Sequence, residues 1–200
     1  ENKTNGTFTS PGTIDNRLSI INNSIFVNSG NLLNKTTGAI INYLTMSNNT
    51  GGTIDNDGSF TNAYSGTFNN YASFTNDSLI IGSGTFKIYK LGTIINNKEF
   101  QIKRLLKNYG TITNNNMIRT FDSTTVENYN LITNVSTGTL ETNSIFINKK
   151  TNATNTDSID LSGIIGTINN SGIILHKSST FTNNGKIDNL SSGTITNKDS

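Results

Sequence analysis

Gly52-Thr53-Ile54-Asp55-Asn56 is followed by Gly58-Ser59-Phe60-Thr61-Asn62, then by Gly66-Thr67-Phe68-Asn69-Asn70 and Ala72-Ser73-Phe74-Thr75-Asn76. All four are one module: a small residue, a hydroxyl-bearing residue, a large apolar residue, a variable residue and Asn. The module extends in both directions. It is clear at Gly12-Thr13-Ile14-Asp15-Asn16, Gly92-Thr93-Ile94-Ile95-Asn96, Gly110-Thr111-Ile112-Thr113-Asn114, Gly166-Thr167-Ile168-Asn169-Asn170 and Gly193-Thr194-Ile195-Thr196-Asn197. Weaker copies, such as Ser144-Ile145-Phe146-Ile147-Asn148 and Gly185-Lys186-Ile187-Asp188-Asn189, fill the intervals. Roughly thirty modules cover the chain, their starts mostly six or eight residues apart.

Strand alternation puts positions one, three and five on one side and positions two and four on the other. Position three is apolar almost throughout, so it marks the buried side: Ile14, Ile54, Phe60, Phe68, Phe74, Ile94, Ile112, Ile168 and Ile195. Positions one and five then face inward too. Gly at position one gives room at a turn and tolerates positive φ. Asn at position five, as at Asn16, Asn56, Asn70, Asn96, Asn114, Asn170 and Asn197, tolerates the left-handed conformation and bonds nearby backbone. Stacked over its copies, it can form a ladder of side-chain amides.

Five-residue strands joined by one to three residues leave no room for a crossover helix. Asn-Gly hairpin turns are rare, as at Asn5-Gly6 and Asn184-Gly185. The constant phase of the modules suits coils in which like stacks on like. The spacing therefore predicts an all-β fold, one continuous parallel β-solenoid over residues 1–200. Three modules per coil give a three-sided section of about 20 residues, and two give a flatter coil of about 13–14 residues. The alternation of six- and eight-residue steps favours two. The even length of module triplets and the closing of a core around one large residue per face favour three, which is our preferred reading. The pattern breaks near 149–162, where Thr154 and Asp160 occupy apolar positions, so a bulge or projecting loop is expected there.

Modules of this form resemble the repeats of filamentous-haemagglutinin-like adhesins and autotransporter passenger regions, and similar Asn- and Thr-rich repeats occur in surface proteins of AT-rich genomes, large DNA viruses included. The resemblance implies a right-handed parallel β-helix at a cell or virion surface. It carries over no functional residue.

The 200 residues include one His and no Cys, with a net charge of +2 and 14% charged residues. Near-neutrality gives no electrostatic case for nucleic acid. No apolar run is long enough for a membrane span. The lone His176 cannot form a metal cluster or a triad by itself, and no cofactor is expected. Asp15, Asp55, Glu127, Glu141 and Asp188 sit at the outward position four without an obvious acid/base cluster, so no enzyme activity is expected. Asp55-Asn56-Asp57-Gly58 looks like the start of a calcium loop, but the twelfth position is Gly66, not Glu. Thr111-Ile112-Thr113 and Thr194-Ile195-Thr196 fit the flat Thr ranks of an ice-binding solenoid, whereas most modules do not.

The most basic stretch supplies Lys98, Lys103, Arg104 and Lys107 as candidate contacts to an anionic glycan or a protein partner. The repeat begins at Gly6 and is still running at Asn197 without a recognisable cap, so a fragment of a longer rod, or end-to-end self-association, is expected. The combined expectation is an extracellular or virion-surface structural or adhesive rod or fibre, touching surface glycans or host receptors. The alternative is a carbohydrate-binding or carbohydrate-active β-helix.

Overall fold

A computed structural model describes residues 1–143, 145–149, 167–177 and 180–198. These residues form 27 strands and no helix, with the strands numbered β1 to β27 in chain order. Every third strand falls in the same sheet, which gives three nine-stranded parallel sheets. We call these faces I, II and III, led by β1 (Thr7–Ser10), β2 (Thr13–Asn16) and β3 (Ser19–Asn22), and count nine coils from this first one.

The coil is three-sided. A two-sided coil would pair β1 with β3, but β1 pairs with β4 (Ile25–Asn28), setting Phe8 against Phe26 and Ser10 against Asn28. Along face II, Ile54, Phe74, Ile94 and Ile112 lie over one another. Stacked Asn residues up to Asn148 are 18, 20 or 22 positions apart in sequence, and Asn170 and Asn189 are 19 apart. The alternation of six- and eight-residue steps, which favours two modules per coil when read alone, comes from the corners. A two-residue corner such as Tyr71-Ala72 makes a six-residue step, and a four-residue corner such as Asn49 to Gly52 makes an eight-residue one.

The interior is a column of one large side chain per strand. Phe60, Phe68, Phe74, Ile94, Ile112 and Ile168 are fully buried, and Ile54 nearly so. Ile14 is half-buried and Ile195 exposed, because the coils that carry them have a neighbour on one side only. Phenylalanines gather in coils three to five. Phe60 lies 5.0 Å from Phe68 and 5.1 Å from Phe74, and Phe86 lies 5.1 Å from both Phe68 and Phe100.

Asn at the strand end is an interior residue. Asn16, Asn34, Asn56, Asn76, Asn96, Asn114, Asn134, Asn170 and Asn189 form one ladder down face II. Each Nδ2 donates to the next Oδ1 at 2.6–2.9 Å. The same amides reach the backbone of the following coil, for example Asn96 Nδ2 to Met117 O at 2.8 Å. The buried amides of the face II ladder are thereby satisfied, and all their dipoles point the same way. The ladder on face I passes through Asn70 but breaks at Ile88. On face III it breaks at Gly82 and Ile102, and His176 occupies a later rung between Thr142 and Asn197. Asn197 itself is exposed.

The conformational reasons expected for Gly and Asn are not those that operate. Among the described glycines only Gly51 has a positive φ, and none of the ladder asparagines does. Most of the repeat glycines are needed for space, although Gly12 in the first coil is not. A Cβ on Gly110 would lie 2.1 Å from the carbonyl oxygen of Gly92, one coil below.

Between β22 (Ile145–Asn148) and β23 (Thr167–Asn170) the chain runs from 149 to 166, where equivalent corners hold two or four residues. The solenoid resumes in register, with Ile132 over Ile168. Apart from Lys149, the expected bulge at 149–162 lies outside the described residues.

Candidate functional sites on the outer faces

The four basic candidates are dispersed by the coil. Lys98 and Lys103 flank β15 (Glu99–Ile102) at opposite ends, on two different corners. Lys98 lines a shallow groove of about 480 Å³ with Asp77, Glu99, Met117 and Arg119. Lys103 Nζ lies 5.1 Å from the Phe121 ring centre. The Arg104 guanidinium stacks 4.5 Å over the ring of Tyr64, and its Nη1 donates to the Tyr64 carbonyl at 2.8 Å. Lys107 is on face I, 3.9 Å from Glu127, which also pairs with Lys149 at 3.0 Å. These residues are neighbours in sequence that wrap around the prism, so they present no single basic surface.

Stacking gathers charges that are distant in sequence. On face III, Arg119 approaches Glu99 at 3.8 Å and Glu141 at 3.3 Å, and Lys177 meets Glu141 at 3.1 Å. Burial pushes the Glu141 carboxyl up, but hydrogen bonds from Asn143 and Lys177 and the Arg119 charge together hold it below the usual carboxylate range.

Asp55 and Asp57 are joined by Asp77 from the next coil, with oxygens of all three within 4.8 Å of one another. Burial, reinforced by the Asp57 and Asp77 charges, holds the Asp55 carboxyl above its usual range. Asp77 also accepts a 2.7 Å bond from Asn97. Three such carboxylates could supply oxygens to one divalent cation. The first two were visible in the Asp55-Asn56-Asp57-Gly58 run, and the third arrives only through the coil period.

The two Thr-x-Thr segments do not form one rank. Thr111 and Thr113 are on face II, whereas Thr194 and Thr196 are on face III.

A feature that the sequence reading missed is a column of tyrosines. Tyr71, Tyr89, Tyr109 and Tyr129 hold the same corner, between faces I and II, in coils four to seven. Each backbone N–H bonds the last strand carbonyl of the coil below, as in Tyr71 to Asn48 and Tyr89 to Asn70, both at 2.8 Å. Tyr71 stacks on Tyr89 at 4.0 Å and Tyr109 on Tyr129 at 4.5 Å. Lys149 continues the row and lies 5.6 Å from the Tyr129 ring centre. Tyr129 Oη reaches Glu127 at 3.2 Å, so its ring folds back over face I.

No family profile, curated protein or solved structure matches this chain.

Proposed function

We propose that the protein is a rigid structural rod of an extracellular, cell or virion surface, which holds its outer faces out to partners and associates end to end. The observation that carries this reading is the unbroken nine-rung Asn ladder of face II, together with strand pairing in register through all nine coils. Such a stack has no hinge along face II and puts most side-chain variety outside, the arrangement of a spacer or adhesive stalk. The likeness of the repeats to those of filamentous-haemagglutinin-like adhesins points the same way. The reading assigns no catalytic step. The clustered carboxylates Asp55, Asp57 and Asp77 lie on the outer side of β8 (Thr53–Asn56) and the corners beside it, with Asp77 exposed. The partners proposed are surface glycans or receptors.

Electron microscopy of the purified chain at increasing concentration tests this. Nine coils at about 4.8 Å each give particles roughly 40 Å long. We expect rods of one solenoid's width that lengthen in steps as concentration rises. Rods that stay short at every concentration would remove self-association from the proposal. Globular particles would remove the rod itself.

A further inference from the structure

The tyrosine column ends differently at its two ends. Lys149 covers Tyr129 at one end. At the other, one face of Tyr71 is taken by Tyr89, and the opposite side of the residue lines an open groove of about 510 Å³. The groove runs over coils two and three, in the track that tyrosines fill from coil four onward. Its walls are Val27, Ser29, Ser47, Asn49 and Thr50. Ser29 and Asn49 hold the same corner position as Tyr71, two coils and one coil earlier, as their backbone bonds to Ser10 and Asn28 show. The groove exists because small residues stand where the next ring of the column would be.

We propose that this groove binds a neutral saccharide, with one pyranose ring stacked on the free face of Tyr71. The lining has the two elements such a ligand requires. An aromatic face packs against the apolar C–H face of a sugar ring, and several short polar side chains meet its hydroxyls. Ser29 Oγ, Thr50 Oγ1 and the Asn49 amide make no side-chain hydrogen bond within the described residues, so they are uncommitted. Ser47 Oγ is engaged only by a long 3.5 Å contact from Asn69. Among the described residues no charged one lines the groove, so it offers no ionic partner to uronates, sialosides or sulfated sugars and suits uncharged ones. The volume suits one or two sugar rings. The site lies on other coils than the basic residues 98–107, and it does not depend on the rod associating end to end.

The test uses saturation-transfer difference NMR on the whole chain, with lactose, cellobiose and N,N′-diacetylchitobiose as probes and sialyllactose as the charged comparison. Transfer to the ring protons of at least one neutral disaccharide is expected, with affinity independent of salt. Tyr71→Ala should weaken binding about tenfold, the size of one lost aromatic stacking contact, and Tyr71→Phe should retain it. Asn49→Tyr carries the decisive result. It adds the missing ring to the column, fills the groove and should abolish binding while the β-sheet circular dichroism and the melting temperature are preserved. Absence of transfer from all three neutral probes overturns the proposal. So does binding that survives Asn49→Tyr in a folded protein, or a preference for sialyllactose that salt removes.

Discussion

Asp55 shows how one residue's chemistry is set by coils it does not belong to. Its carboxyl is held above its usual range by burial and by Asp57 and Asp77. The folded state therefore binds the Asp55 proton more tightly than the unfolded chain does, and stability falls as pH rises through the window above the ordinary value of 3.8. Replacing Asp55 with Asn removes the ionised form. The variant should be more stable than the parent at pH 7 by roughly 0.5 kcal/mol, because it no longer buries a charge or holds it beside Asp57 and Asp77. The difference should vanish once the parent is protonated, below the ordinary carboxylate range. Thermal melts of both proteins across that pH range measure it, and equal melting at pH 7 would mean that the three carboxylates do not repel. The single sequence offered Asp55 and Asp57 but not Asp77, because pairing Asp57 with Asp77 requires the coil length. By contrast, the inward placement of Asn96 or Asn114 was legible from strand alternation alone. The reason for glycine was half legible. Gly110 stands where the chain turns, but what excludes a side chain is the Gly92 carbonyl of the coil below, which no local rule reveals.

At the scale of strands, breaks in the Asn ladders are coupled to the phenylalanine cluster. β12 (Leu79–Gly82) ends in Gly where its neighbour below, β9 (Ser59–Asn62), ends in Asn. A Cβ on Gly82 would lie 3.0 Å from Cε2 of Phe86 and 3.1 Å from its Cδ2. The ring of Phe86 thus takes volume that the amide would occupy. Ile88 and Ile102, at strand ends in coil five, are likewise buried in the hydrophobic core. Restoring the repeat residue with Gly82→Asn should therefore destabilise the protein by about 1–3 kcal/mol through overpacking. Combined with Phe86→Leu, the same change should cost less than the sum of the two single changes, because the introduced amide gains both space and a hydrogen bond from Asn62. Denaturant melts of the four proteins close the cycle, and strict additivity would sever the proposed link between ring and ladder. The module pattern makes the buried position of Phe86 legible. It does not make legible which Asn positions must give way, since that depends on rings from two faces meeting in the interior.

For the whole molecule, the unit of structure is the coil, not the strand. Each strand closes against the strand three ahead and three behind, so a change that preserves the count of three preserves every interface. The corners support this, because coils of 18, 20 and 22 residues coexist in one stack. Deleting Thr93 to Gly110 joins Gly92 to Thr111 and removes β14 (Thr93–Asn96), β15 and β16 (Leu105–Asn108) together. β17 (Thr111–Asn114) then lands on β11 (Ser73–Asn76), with Ile112 over Phe74 and Asn114 over Asn76, so the face II ladder is intact. Strand pairing also continues on the other two faces, where Ile118 meets Ile80 and Val126 meets Phe86. The shortened protein should keep its β-sheet circular dichroism and a cooperative melt, losing about one ninth of its stability if coils contribute equally. Deleting only Thr93 to Gln101 removes β14 and most of β15 but leaves β16, so the count of three is lost. The later strands are displaced to other faces, where Asn114 meets Gly82 and Thr120 meets Ile88, and the melt should fall well below that of the whole-coil deletion. If both deletions melt alike, the stack does not depend on coil register, and the solenoid is not the unit that holds this chain together.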